Sequence, residues 1–354
     1  MYSERENFFR TMRGEEPDHL IAQWGPFIPV MNDPVQKYTR GNRVKGTTSI
    51  DRWGTTIVWP QEQPAAMPHI TPETKVLKDI TKWREVIKVP DLVANCTDWE
   101  EARASIAAID KEQFCSMCFM GTGIFEQCHY LMGFEDTLMN LIEEPECMDE
   151  LIEAIFQYRY TYAKLLIDNL HPDAICTHDD WGAKDRMFMR PDVWRKFFKE
   201  RYYKFYKLFR DNNVVSLHHA DSFCEPITGD MIDVGIDVWQ GVLPQNDIVK
   251  LQKEFGGKIL FMGGIDSALV DKGGISQDTI RAEVRRACDT YAPGGSFIPC
   301  LPSGLRNSAI FPGVDDTIDD EIRKNSPKYF THNKIRSFQE ARFIDGRLFD
   351  SDRA

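Results

Sequence analysis

The chain has no apolar run approaching the length a membrane helix needs, so a spanning segment is not expected. It also lacks a cationic excess. With 43 Lys and Arg against 55 Asp and Glu, the formal charge is −12, and nucleic acid is excluded as a main partner because phosphate binding needs clustered cations. No tandem repeat, phosphate-binding Walker loop or dinucleotide glycine fingerprint is present, and Gly121-Thr122-Gly123 reads only as a turn. The nine cysteines are odd in number and scattered through apolar segments, which fits reduced thiols better than a disulfide framework. Cys115-Ser116-Met117-Cys118 has redox spacing but lies inside an apolar run, so buried strand thiols are expected there. The charged start, Met1 to Glu6, leads into a helix and predicts no secretory leader, hence a cytoplasmic protein.

What is present is a regular alternation. Strands are predicted at Leu20–Trp24, Phe114–Met120, Ala174–His178, Val214–His219, Ile236–Trp239, Lys258–Ile265 and Ser296–Cys300. Helices are predicted between them at 99–109, 125–141, 145–169, 191–210, 226–234, 247–255 and 276–291, with Pro145 and Pro191 placed at first turns. Repeated units of this kind specify parallel α/β architecture, and their number favours one closed TIM barrel spanning residues 1–354 over an open sheet. Residues 25–90 are irregular, with a hairpin expected near Thr55–Pro60 and His69–Thr71, and are read as an insertion over the barrel mouth. Residues 321–354 are read as a carboxyl-terminal extension.

Val214 to Cys224 organises the chemistry. Apolar strand positions run into His218, His219, Asp221 and Cys224, at the strand end where barrels place ligands. Imidazole, carboxylate and thiol within six residues form half of a zinc site, and Cys300, ending another apolar run, is the expected distant ligand. A lone histidine there is more often a hydrogen-bonded wall residue and cysteine a small hydrophobe, so the clustering carries the reading. His219 and Asp221 leave the strand on one side and His218 on the other, while Cys224 lies past the strand where a turn can bring it back. Asp179 and Asp180, ending the preceding strand, either orient a ligand, bind substrate or cap the next segment. Glu126 and His129 open a helix that can reach the same mouth.

These motifs resemble the uroporphyrinogen decarboxylase superfamily and, within it, the corrinoid-dependent methyltransferases. The resemblance runs from about Phe8 to Asp320. It rests on Phe125-Glu126 with Leu131-Met132-Gly133-Phe134-Glu135, on His178-Asp179-Asp180-Trp181-Gly182, on Leu217-His218-His219-Ala220-Asp221, on Gly263-Gly264-Ile265-Asp266 and on Ala292 to Pro299. It implies a (β/α)8 barrel and a zinc held by a His-x-Cys pair and a distant cysteine. His219 matches the histidine, Asp221 stands where the paired cysteine is expected, Cys224 is an alternative sulfur, and Cys300 lies close to the distant cysteine.

The activity implied is transfer of a methyl group between a small methylated substrate, such as an aryl methyl ether, and the cobalt of a corrinoid (cobalamin) carried by a partner protein. His218, Asp180 and Glu126 are the expected catalytic side chains, with His218 as proton donor. Trp24, Phe27, Trp53, Asp179, Trp181 and His129 are the expected substrate wall. A homodimer stays open. The region where the decarboxylases carry substrate-binding arginines is apolar here, Gln23 to Phe27, which disfavours a polycarboxylate substrate. The rival readings are a metal-free decarboxylase or lyase on the same fold, and a non-catalytic binding subunit.

Overall fold

Strands that are buried on both faces must sit between two covered layers, and here the layers are a packed interior and a shell of helices. The computed structural model describes residues 2–330 except 42, 64 and 306, so residues 331–354 of the expected extension lie outside it. Seven parallel strands form one curled sheet in the order β1 (Phe27–Val30), β5 (Cys115–Met120), β6 (Ala174–His178), β7 (Val215–His219), β8 (Val238–Val242), β9 (Leu260–Gly264) and β10 (Phe297–Cys300). This is a TIM-barrel α/β fold. Three short antiparallel strands, β2 (Thr48–Ile50), β3 (Thr56–Val58) and β4 (Met67–Pro68), make a separate sheet.

The first strand is not at Leu20–Trp24. Gln23 adopts a left-handed φ of 48° that ends any extended run, and the strand forms at Phe27–Val30, inside the segment expected to be wholly insertion. Gln23 instead fastens this segment to the end of β10. The Gln23 amide donates to the Pro299 carbonyl at 3.2 Å, and its side-chain oxygen accepts from the Leu301 amide at 3.0 Å. The single helix expected over 125–141 is two, Ile124–Met132 and Phe134–Glu143, because Gly133 turns the chain at φ 93°. Residue 321 falls inside the helix Val314–Asn325, which is tied to Gln277–Tyr291 through Arg281–Asp320 at 2.6 Å and Arg285–Glu321 at 2.7 Å.

The barrel interior is filled by alternate strand residues, among them Met117, Cys176, Leu217, Val238, Met262 and Ile298. Its amino-terminal end is plugged by the helix Glu4–Met12. Phe8 packs edge-on against Phe27 with ring centroids 4.8 Å apart, and Arg5 pairs at 2.8 Å with Asp173, which precedes β6. Trp24 and Phe27 belong to this plug. At the opposite, carboxyl end, the helix Pro34–Thr39 and the β2–β3–β4 sheet contribute walls to a cavity over the ends of β5, β6 and β7. Among the described residues no helix is long and apolar enough to cross a membrane.

Candidate metal centre

The cavity measures about 570 Å³, within the range of small-molecule sites. Its floor is formed by the inward-pointing residues that end β6 and β7. These strands pair in register, with His178 opposite His219, so the two imidazoles leave adjacent strands at one level and stack with centroids 4.5 Å apart. Asp180, two residues past His178, completes a group in which one donor atom from each of His178, Asp180 and His219 lies within 4.8 Å of the others.

Each imidazole is held from behind. His178 Nδ1 lies 2.6 Å from Glu126 Oε2, and His219 Nδ1 is bonded to Gln240 Oε1, from the neighbouring β8. Oxygen acceptors at both Nδ1 atoms fix those nitrogens as donors and leave both Nε2 atoms for the cavity side, where His178 Nε2 is 3.8 Å from Asp180 Oδ2. Asp180 is itself fixed by the Asp221 amide, which donates to its Oδ1 at 3.1 Å. Asp221 also lines the cavity.

Glu126 is positioned by Asp179. The Asp179 carboxylate accepts from the amides of Phe125 at 3.0 Å and Glu126 at 2.9 Å, from Trp181 Nε1 at 3.0 Å, and from the Tyr202 hydroxyl. It therefore caps the helix Ile124–Met132 from another strand, and Gly123 makes the approach feasible, since a Cβ there would sit 2.0 Å from the Asp179 carboxyl carbon. Asp179 is fully buried and lies outside the cavity lining.

Burial opposes charge on every group here, and the outcome differs with the neighbour. For His178 the Glu126 carboxylate outweighs burial and raises the imidazole, while the same pairing outweighs burial of Glu126 and lowers its carboxyl. Burial, with the His178 charge nearby, lowers His219 to about 4. Burial and neighbouring carboxylates push Asp180 up to about 7 and Asp221 up to about 6. Two imidazoles and one carboxylate, with a second carboxylate beside them, are a donor set that fits zinc or a related divalent metal.

Several sequence-predicted residues lie elsewhere. His218 stacks on Trp181 at 4.1 Å, and its ring nitrogens face the Tyr206 hydroxyl at 2.7 Å and the Asp179 carbonyl at 3.2 Å, so it is a wall residue and not a proton donor to the cavity. Trp181 is buried in the same stack. His129 packs edge-on among Phe125, Tyr130 and Phe134, outside the cavity lining. Trp24 and Phe27 pack in the barrel interior outside the cavity lining, and Trp53 alone of the expected aromatics lines the cavity.

Both expected cysteine ligands fall outside the metal group. Cys224 is buried against the Ser222 hydroxyl at 3.2 Å, and Cys300 turns its thiol to the Leu301 carbonyl at 3.2 Å. The site includes residues the sequence did not mark: His178 in the metal-type group, Gln240 behind His219, and Arg40 and Arg43 in the cavity lining. The His178-x-Asp180 spacing, repeated in His219-x-Asp221, is the signal that could have found the first.

The fold and this constellation define a TIM-barrel protein with ligand-type side chains converging at the carboxyl end of the strands. The chain belongs to the uroporphyrinogen decarboxylase (URO-D) family, whose model matches residues 50–306. Among solved structures it is similar to a methyltransferase from Methanosarcina mazei, at 15% identity and a TM-score of 0.66, covering 92% of this chain and 99% of that one. That likeness is one of fold. A deacetylase for N-acetyl-D-glucosamine-6-phosphate from Mycobacterium smegmatis aligns at 12% identity over 62% of this chain and 68% of that one, with a TM-score of only 0.27, too low to carry an argument. No curated protein matches the sequence.

Proposed function

We propose that the protein is a zinc-dependent methyltransferase, moving a methyl group between a small methylated substrate and the cobalt of a corrinoid protein that docks at the open mouth. The carrying observation is the pair of stacked imidazoles, His178 and His219, each anchored at Nδ1 by an oxygen and each turning Nε2 to the cavity beside Asp180. The barrel shared with the Methanosarcina mazei methyltransferase supports the same reading. His178, Asp180 and His219 would hold the metal, which when bound supplies Lewis acidity toward the heteroatom that carries the methyl group.

The chain's own residues do the rest. Glu126 and Gln240 hold the two rings in the orientation that presents Nε2, and the Asp221 amide keeps the Asp180 carboxylate aimed at them. Trp53, Phe119, Tyr130, Tyr158 and Tyr162 surround the bound substrate with aromatic surface and limit water around the reacting bond. The test couples metal analysis to methyl transfer from methoxylated aromatics, methylamines and thioethers to reduced cobalamin. Zinc-dependent methylcobalamin formation is expected.

A second reading, decarboxylation on the same fold without metal, is favoured by one observation: Arg40 and Arg43 line the cavity. Substrate turnover unchanged by chelation and without methyl transfer would select it.

A further inference from the structure

Arg159, on the helix Pro145–Leu170, is 3% exposed, and among the described residues no carboxylate pairs with it. Its Nη1 donates to the Gly121 carbonyl at 2.9 Å and to the Thr122 carbonyl, its Nη2 reaches the Met120 carbonyl at 3.5 Å, and its guanidinium carbon lies 5.6 Å from the Phe205 ring centroid. Burying a guanidinium against neutral carbonyls is costly, and an apolar side chain would fill the same space without that cost. What the charge achieves is a hold on three successive carbonyls at the end of β5. Thr122 requires one, because its φ of 56° is a left-handed conformation that disfavours a non-glycine residue.

The consequence reaches the metal group across one peptide plane. In a planar trans peptide the C=O and the N–H point in opposite directions. The Thr122 carbonyl and the Gly123 N–H belong to one such unit, so turning the carbonyl to Arg159 turns the N–H to Glu126 Oε2, to which it donates at 3.1 Å. Glu126 is the third residue of the helix Ile124–Met132 and reaches back to the amide that precedes it, and the same Oε2 lies 2.6 Å from His178 Nδ1. Asp179 fixes the backbone that carries Glu126, whereas the Gly123 amide fixes the direction of its side chain.

We propose that Arg159 is a positioning residue for the metal group: it aims the Gly123 amide at Glu126 and so holds the carboxylate that orients His178. This rests on the reading of His178, Asp180 and His219 as the metal site, and deepens it by assigning what sets the carboxylate behind His178.

The test uses the full chain with and without zinc. In the metal-free protein, Arg159→Met is expected to speed hydrogen exchange of the Gly123 amide at least about 5-fold by NMR, while the amides of β9 keep their protection. Zinc affinity, from chelator competition, is expected to fall about 10-fold in Arg159→Met and by less in Arg159→Lys, which keeps the charge but not the fork. In a Glu126→Ala background the same Arg159→Met change should alter zinc affinity by less than about 2-fold, because the route to His178 is already cut. A full loss that persists in that background overturns the proposal, since the arginine would then act on the fold at large. So does unchanged exchange at Gly123, or native zinc affinity in Arg159→Met. Should Arg159→Met not fold, Arg159→Lys carries the same comparisons. A native chain that binds no zinc would retire the metal reading, and exchange at Gly123 would still decide whether Arg159 aims the amide.

Discussion

His178 and His219 face each other across adjacent parallel strands, their rings stacked 4.5 Å apart and 18° from parallel, with Glu126 behind one and Gln240 behind the other. Nothing about packing alone requires two imidazoles in that pose at a barrel mouth. Each ring satisfies Nδ1 within the protein and turns Nε2 to the cavity, the arrangement a shared divalent ion would use.

Replacing Glu126 with Gln removes the carboxylate that raises the basicity of His178 while keeping an oxygen at its Nδ1. Zinc affinity is expected to fall by about 10- to 100-fold, as measured by competition with a chromogenic chelator. An unchanged affinity would mean that His178 is not a ligand.

Metal binding at His178 Nε2 must displace a proton from the ring, which the Glu126 carboxylate, outweighing burial, holds above the usual imidazole range. Raised to about 10, the ring is protonated throughout the neutral range. Zinc affinity is therefore expected to rise as pH increases from 6 to 8, and uptake to release protons, read as the dependence of binding enthalpy on buffer ionisation. Pairing with a proton-neutral uptake across that window would contradict the geometry.

His218 and His219 should separate stability from metal binding. His218→Ala leaves a cavity beside Trp181 and removes one of the two partners of the Tyr206 hydroxyl, leaving it Thr177 Oγ1 at 2.8 Å, so a loss of about 3 kcal/mol in urea unfolding is expected with zinc retained by the folded fraction. Loss of zinc from a still folded variant would return His218 to the site.

Much of the fold was legible because buried parallel strands read as apolar runs and helices open on proline; β5, β6, β7, β9 and β10 lie where those signals placed them, while β8, at Val238–Val242, starts two residues later and runs past the expected Ile236–Trp239. The failures have local causes. Leu20 to Trp24 is rich in apolar residues because Ile21 and Trp24 pack in the barrel interior and Leu20 and Ala22 in the outer core, and an apolar run of that length looks the same whether it pairs or packs. His219, Asp180, Asp221 and Glu126 were visible from their strand-end and helix-start positions. His178 was not singled out as a ligand because its role depends on the register between β6 and β7, a non-local fact. Arg40 and Arg43 sit in a segment without period, and Gln240 is a strand glutamine that becomes meaningful only beside His219.

Cys300 sharpens the contrast between pattern and geometry. Its thiol is buried and directed to the Leu301 carbonyl, so Cys300→Ser is expected to keep stoichiometric zinc and to cost stability only. Loss of zinc in this variant would restore the sulfur ligand that the resemblance implied.

The central claim is that His178, Asp180 and His219 bind one divalent metal, and zinc content of the purified, dialysed chain tests it most directly. The native protein is expected to carry one zinc per chain, and His178→Ala and His219→Ala to carry none while keeping the native helical signal by circular dichroism. Equal zinc in the native protein and both variants would contradict the account.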